Sequence, residues 1–222
     1  MSRHRQFLAT TIGRKIVMAV TGLLLIGFLV AHLAGNLLVF VGPAVFNDYS
    51  HKLVSNPLVY VAEAGLLALF VGHFVHGILV TLRNRAARPV GYQVRARARH
   101  TSHKSVASTT MIVSGVVVLV FVPLHLYTFK FGPHYVSAAE PGVRDLYRLV
   151  IEVFRDPLHV AWYVLAMVVI GFHLWHGFGS GFESLGVAYQ QPLRRFGRLL
   201  AVVLAGGFLL IPVIVFVTGG RP

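Results

Sequence analysis

Five apolar stretches, near residues 14–42, 57–82, 106–130, 157–182 and 197–218, dominate the chain. Each reaches the roughly 20 residues that a helix needs to cross a bilayer. Hydrocarbon cannot satisfy an open sheet edge, so all five are expected to be helices. The composition agrees: 56% of the 222 residues are hydrophobic and 12% are charged, with a mean hydropathy of +0.72. A soluble domain would carry about 25% charged residues, so the surplus apolar surface must face lipid. The expected fold is an all-α membrane protein, one domain over 1–222, with the first four spans bundled together. Pro43, Pro57, Pro89, Pro157 and Pro192 punctuate the boundaries, while Pro123 and Pro212 fall inside spans and are expected to kink them. The opening MSRHRQFLATTIGRK is polar and basic, and no cleavable signal is expected.

The net charge of +13 does not point to nucleic acid, because the basic residues sit at the ends of the apolar stretches. On one side lie Arg3, Arg5, Arg14 and Lys15, the run Arg83, Arg85, Arg88, Arg95, Arg97, Arg99 and Lys104, and Arg194, Arg195 and Arg198. On the other are Lys52, Lys130, Arg144, Arg148, Arg155 and Arg221, offset by Asp48, Glu140, Asp145, Glu152 and Asp156. Lys and Arg accumulate in cytoplasmic connections. The N-terminus is therefore expected in the cytoplasm and the C-terminus outside, in a multi-pass protein of the cell membrane. The absence of cysteine excludes thiolate-held iron–sulfur clusters, disulfides and covalent c-type haem.

Six of the twelve histidines, His32, His73, His76, His125, His173 and His176, lie inside four of the apolar spans. An ionisable residue in hydrocarbon is costly, and imidazole is a preferred ligand of iron and other transition metals. A lone histidine of this kind is more often an interhelical hydrogen-bond partner; four helices each offering one could hold two haems. With alternating helix directions and about 1.5 Å per residue, His32 and His125 fall near one outer level. By the same count His73 and His173 fall near one inner level, giving two bis-imidazole sites stacked across the membrane. Zinc fits less well, since carboxylates and thiolates are almost absent from the spans. The doublets HFVH and HLWH each offer two candidates three residues apart, and geometry alone does not choose between them. The spare imidazoles could hydrogen-bond a haem propionate or carry protons. Gly13, Gly22, Gly27, Gly35, Gly65, Gly72 and Gly77 could serve close helix packing or leave room for a flat macrocycle.

Glu63 is the one acidic residue well inside a span. An unpaired carboxylate there is expected to carry a proton part of the time and to exchange it with a quinone. Pairing with a buried arginine, or snorkelling to the surface, is the plainer alternative.

These residues resemble the cytochrome b membrane anchor of di-haem succinate:quinone oxidoreductases and quinol:fumarate reductases, in its single-chain, five-helix form. The likeness runs through IGRKIVMAVTGLLL and AHLAGNL, FNDYSHKL, NPLVYVAE, GHFVHG, SGVVVLVFVPLH and GFHLWHGFGSGFESLG, in that order. It implies that His32 and His125 ligate a distal haem b, and that His73 and His173 ligate a proximal one. It selects His73 by the glycine four positions later, Gly77, and His173 by Phe172 before it, leaving His76 and His176 as non-ligands. Glu63 matches a carboxylate of the family's quinone site. Gly171 stands where some fumarate reductases carry a glutamate of a transmembrane proton path, which puts such a path here in doubt.

The resemblance further implies a flavoprotein and an iron–sulfur protein docked on the cytoplasmic face. Electrons would pass from succinate through the two haems to quinone, with menaquinone preferred, or from quinol to fumarate. The chain would then be the quinone-reactive subunit of a respiratory succinate dehydrogenase, with higher oligomers left open. Two rival readings are a di-haem cytochrome b of another quinone-linked respiratory enzyme and a haem-free, histidine-bearing proton or metal transporter. In the first rival one helix typically serves both haems, whereas here four helices supply one histidine each.

Overall fold

The computed structural model describes residues 10–87, 110–188 and 190–220. The connection 88–109, which holds much of the charge behind the expected orientation, lies outside the described residues, as do Arg3, Arg5 and Arg221. Among the described residues seven α-helices follow in order: α1 (Thr11–Leu37, prolonged by a 3-10 turn Leu38–Phe40), α2 (Pro43–Ser55), α3 (Leu58–Ala86), α4 (Met111–Phe129), α5 (Leu146–Val153), α6 (Pro157–Ser184) and α7 (Gln191–Thr218). Of these, α1, α3, α4, α6 and α7 are long and apolar enough to cross a membrane. This is an all-α membrane protein; β pairing among the described residues is limited to one isolated bridge, Val136 with Arg144.

The structure adds three details to the spans read in the sequence. The fifth begins at Gln191 instead of near 197, because Pro192 suits a first helical turn and the polar QPLRRFG winds into the helix. Helices α4 and α7 continue as helix through Pro123 and Pro212. Two further helices, α2 and α5, fill connections that hydropathy leaves blank.

Helix α1 packs against α3 on one side and α6 on the other; α4 packs against α6 and more lightly against α3. The bundle order is therefore α1, α3, α4, α6, with α1 diagonal to α4 and α3 diagonal to α6. Helix α7 lies outside this ring, against α6 and α1. Contacts between the first turns of α1 and α4 and the later turns of α3 and α6 make the neighbours antiparallel. The end where α1 begins is called near, and the end carrying α2 and α5 far.

Apolar side chains gain little by exchanging lipid tails for one another, so close packing and polar contacts hold such helices together. The tightest seam joins α6 to α7, where Ala166, Met167 and Leu174 are buried with Ala201, Leu204 and Ile211. A Cβ on Gly171 would stand 3.0 Å from the Cβ of Ala205. Position 171 thus faces the fifth helix, and any Cβ there would crowd Ala205.

Polar contacts close the far end. The buried Asn47 of α2 donates from Nδ2 to Asp145 Oδ1 at 2.8 Å, and its Oδ1 accepts from the Tyr147 amide at 2.9 Å. Asp145 also caps α5 by accepting from the Arg148 amide. At the start of α6, Asp156 accepts from the amides of Leu158 and His159 and pairs with the His159 ring. The His159 ring and these amides hold the Asp156 carboxyl below its ordinary 3.8. A depressed folded value means the stabilisation is fully present above the unfolded value and is lost as pH falls through the folded one. Thermal unfolding in detergent is expected to lose a step of stability below about pH 3.8 that Asp156→Asn lacks; identical acid profiles would refute it.

Candidate metal centres: two facing pairs of histidines

The four candidate histidines meet across the diagonals of the bundle. His73 of α3 faces His173 of α6 with ring centroids 6.3 Å apart, and His32 of α1 faces His125 of α4 at 5.8 Å. A metal held between two imidazoles at about 2 Å from each nitrogen sets the centroids roughly 6 Å apart. The ring planes cross at 72° and 88°, so neither pair is a stacking contact.

Three helices measure the axial distance between the pairs. A Cβ on Gly22 of α1 would lie 2.8 Å from His73 Cε1, so Gly22 is level with the near pair. Ser114 of α4 hydrogen-bonds His173, and the adjacent Gly115 lies against the same ring. Tyr163 of α6 hydrogen-bonds His125 of the far pair. From Gly22 to His32, from Gly115 to His125 and from Tyr163 to His173 is ten residues each time. Ten helical residues rise about 15 Å. Three rulers agree, so the two levels are parallel and well separated.

The surroundings of the pairs differ in chemistry. In the near pair, His73 Nδ1 lies 3.0 Å from the Met18 carbonyl and 3.3 Å from Thr21 Oγ1, and His173 Nδ1 lies 3.0 Å from Ser114 Oγ. The far pair sits among aromatic rings: Phe28 stacks on His32, Phe208 of α7 leans on it, and Phe121 and Phe129 flank His125. His125 Nδ1 lies 3.1 Å from the Tyr163 hydroxyl, while Asn36 reaches His32 only at 3.4 and 3.5 Å. Metal-bound histidines characteristically engage their second nitrogen in this way.

Other sequence candidates fall elsewhere. His76 turns its Nδ1 to the Gly72 carbonyl of its own helix, 2.8 Å away. His176 lies one turn beyond His173 and outside both ring pairs. Glu63 is not an unpaired buried carboxylate: it forms an ion pair with Lys130 at the C-cap of α4, and both side chains are partly exposed. The expectation of an isolated carboxylate is therefore corrected: its partner is a lysine from the neighbouring helix. Glu63 stands ten residues before His73 on α3, which places it at the level of the far pair.

Reading the sequence missed Thr21, Ser114, Tyr163 and Lys130. A signal for the first two was present: Thr21-Gly22 precedes His32, and Ser114-Gly115 precedes His125, at identical spacing on the two diagonal helices. Eleven residues make three helical turns, so the hydroxyl and the histidine share a face.

Among the described residues no group of three or more His, Cys, Asp or Glu side chains is placed to hold a metal ion. Two facing imidazoles instead suit a metal whose remaining ligands come from a planar macrocycle, which is the donor set of a bis-histidine haem. No family model, curated protein or solved structure matches the chain.

Proposed function

We propose that the chain is the haem-carrying membrane anchor of a succinate:quinone oxidoreductase, working towards quinone reduction or in the reverse direction. The observation that carries this reading is the pair of facing histidine couples, drawn from diagonal helices and set about 15 Å apart along the bundle. His73 with His173 would hold the inner haem b, and His32 with His125 the outer one. Bound between these rings, haem supplies one-electron transfer.

The rest is done by the chain's own side chains. Met18, Thr21 and Ser114 orient the near imidazoles, and Tyr163 orients His125. The aromatic rings around the far pair keep water from it. Glu63 and Lys130 place a carboxylate and an ammonium at the level of the far pair, where a quinone oxygen needs a proton partner. Arg14, Lys15, Arg83, Arg85, Arg194, Arg195 and Arg198 gather at the near end. That bias favours a cytoplasmic near end, which would dock an iron–sulfur protein and its flavoprotein.

A reduced-minus-oxidised optical spectrum of the purified chain is expected to show two b-type haems per chain. A spectrum without haem bands sinks the reading. Reduction of the same bands by succinate in membranes, with a flavoprotein and an iron–sulfur protein co-purifying, separates it from other quinone-linked respiratory enzymes.

A further inference from the structure

Asn47, Thr21 and Ser114 are the buried polar side chains of the described core, and two of these three touch the near histidines. The direction of their hydrogen bonds has a chemical consequence. A hydroxyl carries one proton. Ser114 Oγ donates its proton to the Met111 carbonyl at 3.0 Å, and Thr21 Oγ1 donates to the Val17 carbonyl at 2.7 Å. Each oxygen is thereby left only its lone pairs for the imidazole. With the hydroxyl protons on those carbonyls, Ser114 accepts from His173 Nδ1–H at 3.0 Å, and Thr21 from His73 Nδ1–H at 3.3 Å. The Met18 carbonyl, which can only accept, imposes the same sense on His73 at 3.0 Å.

We propose that Ser114, and Thr21 together with the Met18 carbonyl, position the near imidazoles as Nδ1–H tautomers, so that each Nε2 is a free lone pair ready for metal. The inference rests on the haem reading of the pairs and adds to it which residues prepare one site and not the other. Two neutral rings with protons committed to Nδ1 have none to share across the gap, so the couple is a pair of Lewis bases. The far pair has no equivalent lock. Among the described residues the Tyr163 hydroxyl has His125 as its one hydrogen-bond partner and can either donate or accept, and the Asn36 amide gives one N–H to the His32 carbonyl at 2.8 Å while reaching the His32 ring only at 3.4 and 3.5 Å. The near site is therefore preorganised, while the far site acquires its tautomer on binding.

The recurrence of a hydroxyl residue eleven residues before a histidine, followed by glycine, on both α1 and α4 supports the assignment independently. Each diagonal helix supplies a far ligand and, three turns earlier, the acceptor that orients a near one. On α1 the glycine beside it, Gly22, lets the His73 ring approach.

The test uses the full chain with nitrogen-labelled histidine, carrying Thr21→Val with Ser114→Ala, the conservative Thr21→Ser with Ser114→Thr, or Tyr163→Phe. Nitrogen NMR of the haem-free protein reads the tautomer without any bound group. Wild type and the conservative double variant are expected to give His73 and His173 as Nδ1–H, and the Val/Ala variant a mixture with Nε2–H at His173, while the Met18 carbonyl keeps His73 as Nδ1–H. In reconstitution with haem b, the Val/Ala variant should lose roughly 10–100-fold in affinity at the inner site alone. Tyr163→Phe should disturb only the outer haem. Unaltered tautomers and an unaltered inner haem in the Val/Ala variant overturn the lock and leave the haem reading standing. A wild type showing the tautomers yet binding no haem overturns the haem reading and, with it, the metal-preparing role.

Discussion

Alanine at His73 is expected to remove the inner haem and spare the outer one, and alanine at His32 to do the reverse. The two pairs are about 15 Å apart along the bundle, and no residue belongs to both. On the proposed reading, each substitution deletes one of the two imidazoles that would hold a haem at a single level. His73→Ala also frees Met18 and Thr21 of their imidazole partner, but it leaves Phe28, Phe121 and Tyr163 around the far pair untouched. The expected readout is half the haem per chain, with a different residual band in each variant and partial recovery on adding imidazole. His76→Ala and His176→Ala should keep both haems, because those rings lie outside the couples. Loss of the same band in both the His32 and His73 variants would falsify the pairing; loss of haem in His76→Ala with retention in His73→Ala would overturn the choice within the doublet.

Asn47→Ala is expected to be the most destabilising polar substitution at the far end, by about 2–3 kcal/mol. The amide is 5% exposed and makes one bond in each direction, to Asp145 and from Tyr147. Truncation deletes both bonds and leaves the Tyr147 amide, in the first turn of α5, without its acceptor. Since α2 and α5 close the bundle over the far histidines, the loss should also speed haem release from the outer site and not the inner one. Denaturant titration in detergent, followed by the outer haem's absorption, measures both effects. A change within about 0.5 kcal/mol, the size typical of an exposed substitution, would show that the clasp does not hold the two helices together.

The spans were legible because crossing a bilayer imposes a length and a composition that no local context can hide. Helices α2 and α5 were not legible, since α2 has 13 residues of mixed polarity and α5 only eight. Their stability comes from the Asn47–Asp145 contact, made across nearly a hundred residues of chain. Lys130 escaped notice for a similar reason. It is an ordinary basic residue at a helix end, and its significance as the partner of Glu63 depends on the neighbouring of α3 and α4. Thr21 and Ser114 looked like tolerated hydroxyls inside apolar helices, which commonly satisfy themselves on the preceding carbonyl. Each does so, and its remaining lone pairs then face a histidine.

The same division runs through the site. Counting residues along alternating helices is enough to place His32 level with His125 and the HFVH doublet level with HLWH, because rise per residue is a property of the backbone alone. It leaves rotation about the helix axis undefined, so each doublet stays ambiguous and no acceptor for the imidazoles can be named. Rotation is settled by packing between helices: Gly22 lets the His73 ring come against α1, and Ser114 draws the His173 ring towards α4. Depth could be read from the chain one residue at a time, whereas facing required all four helices at once.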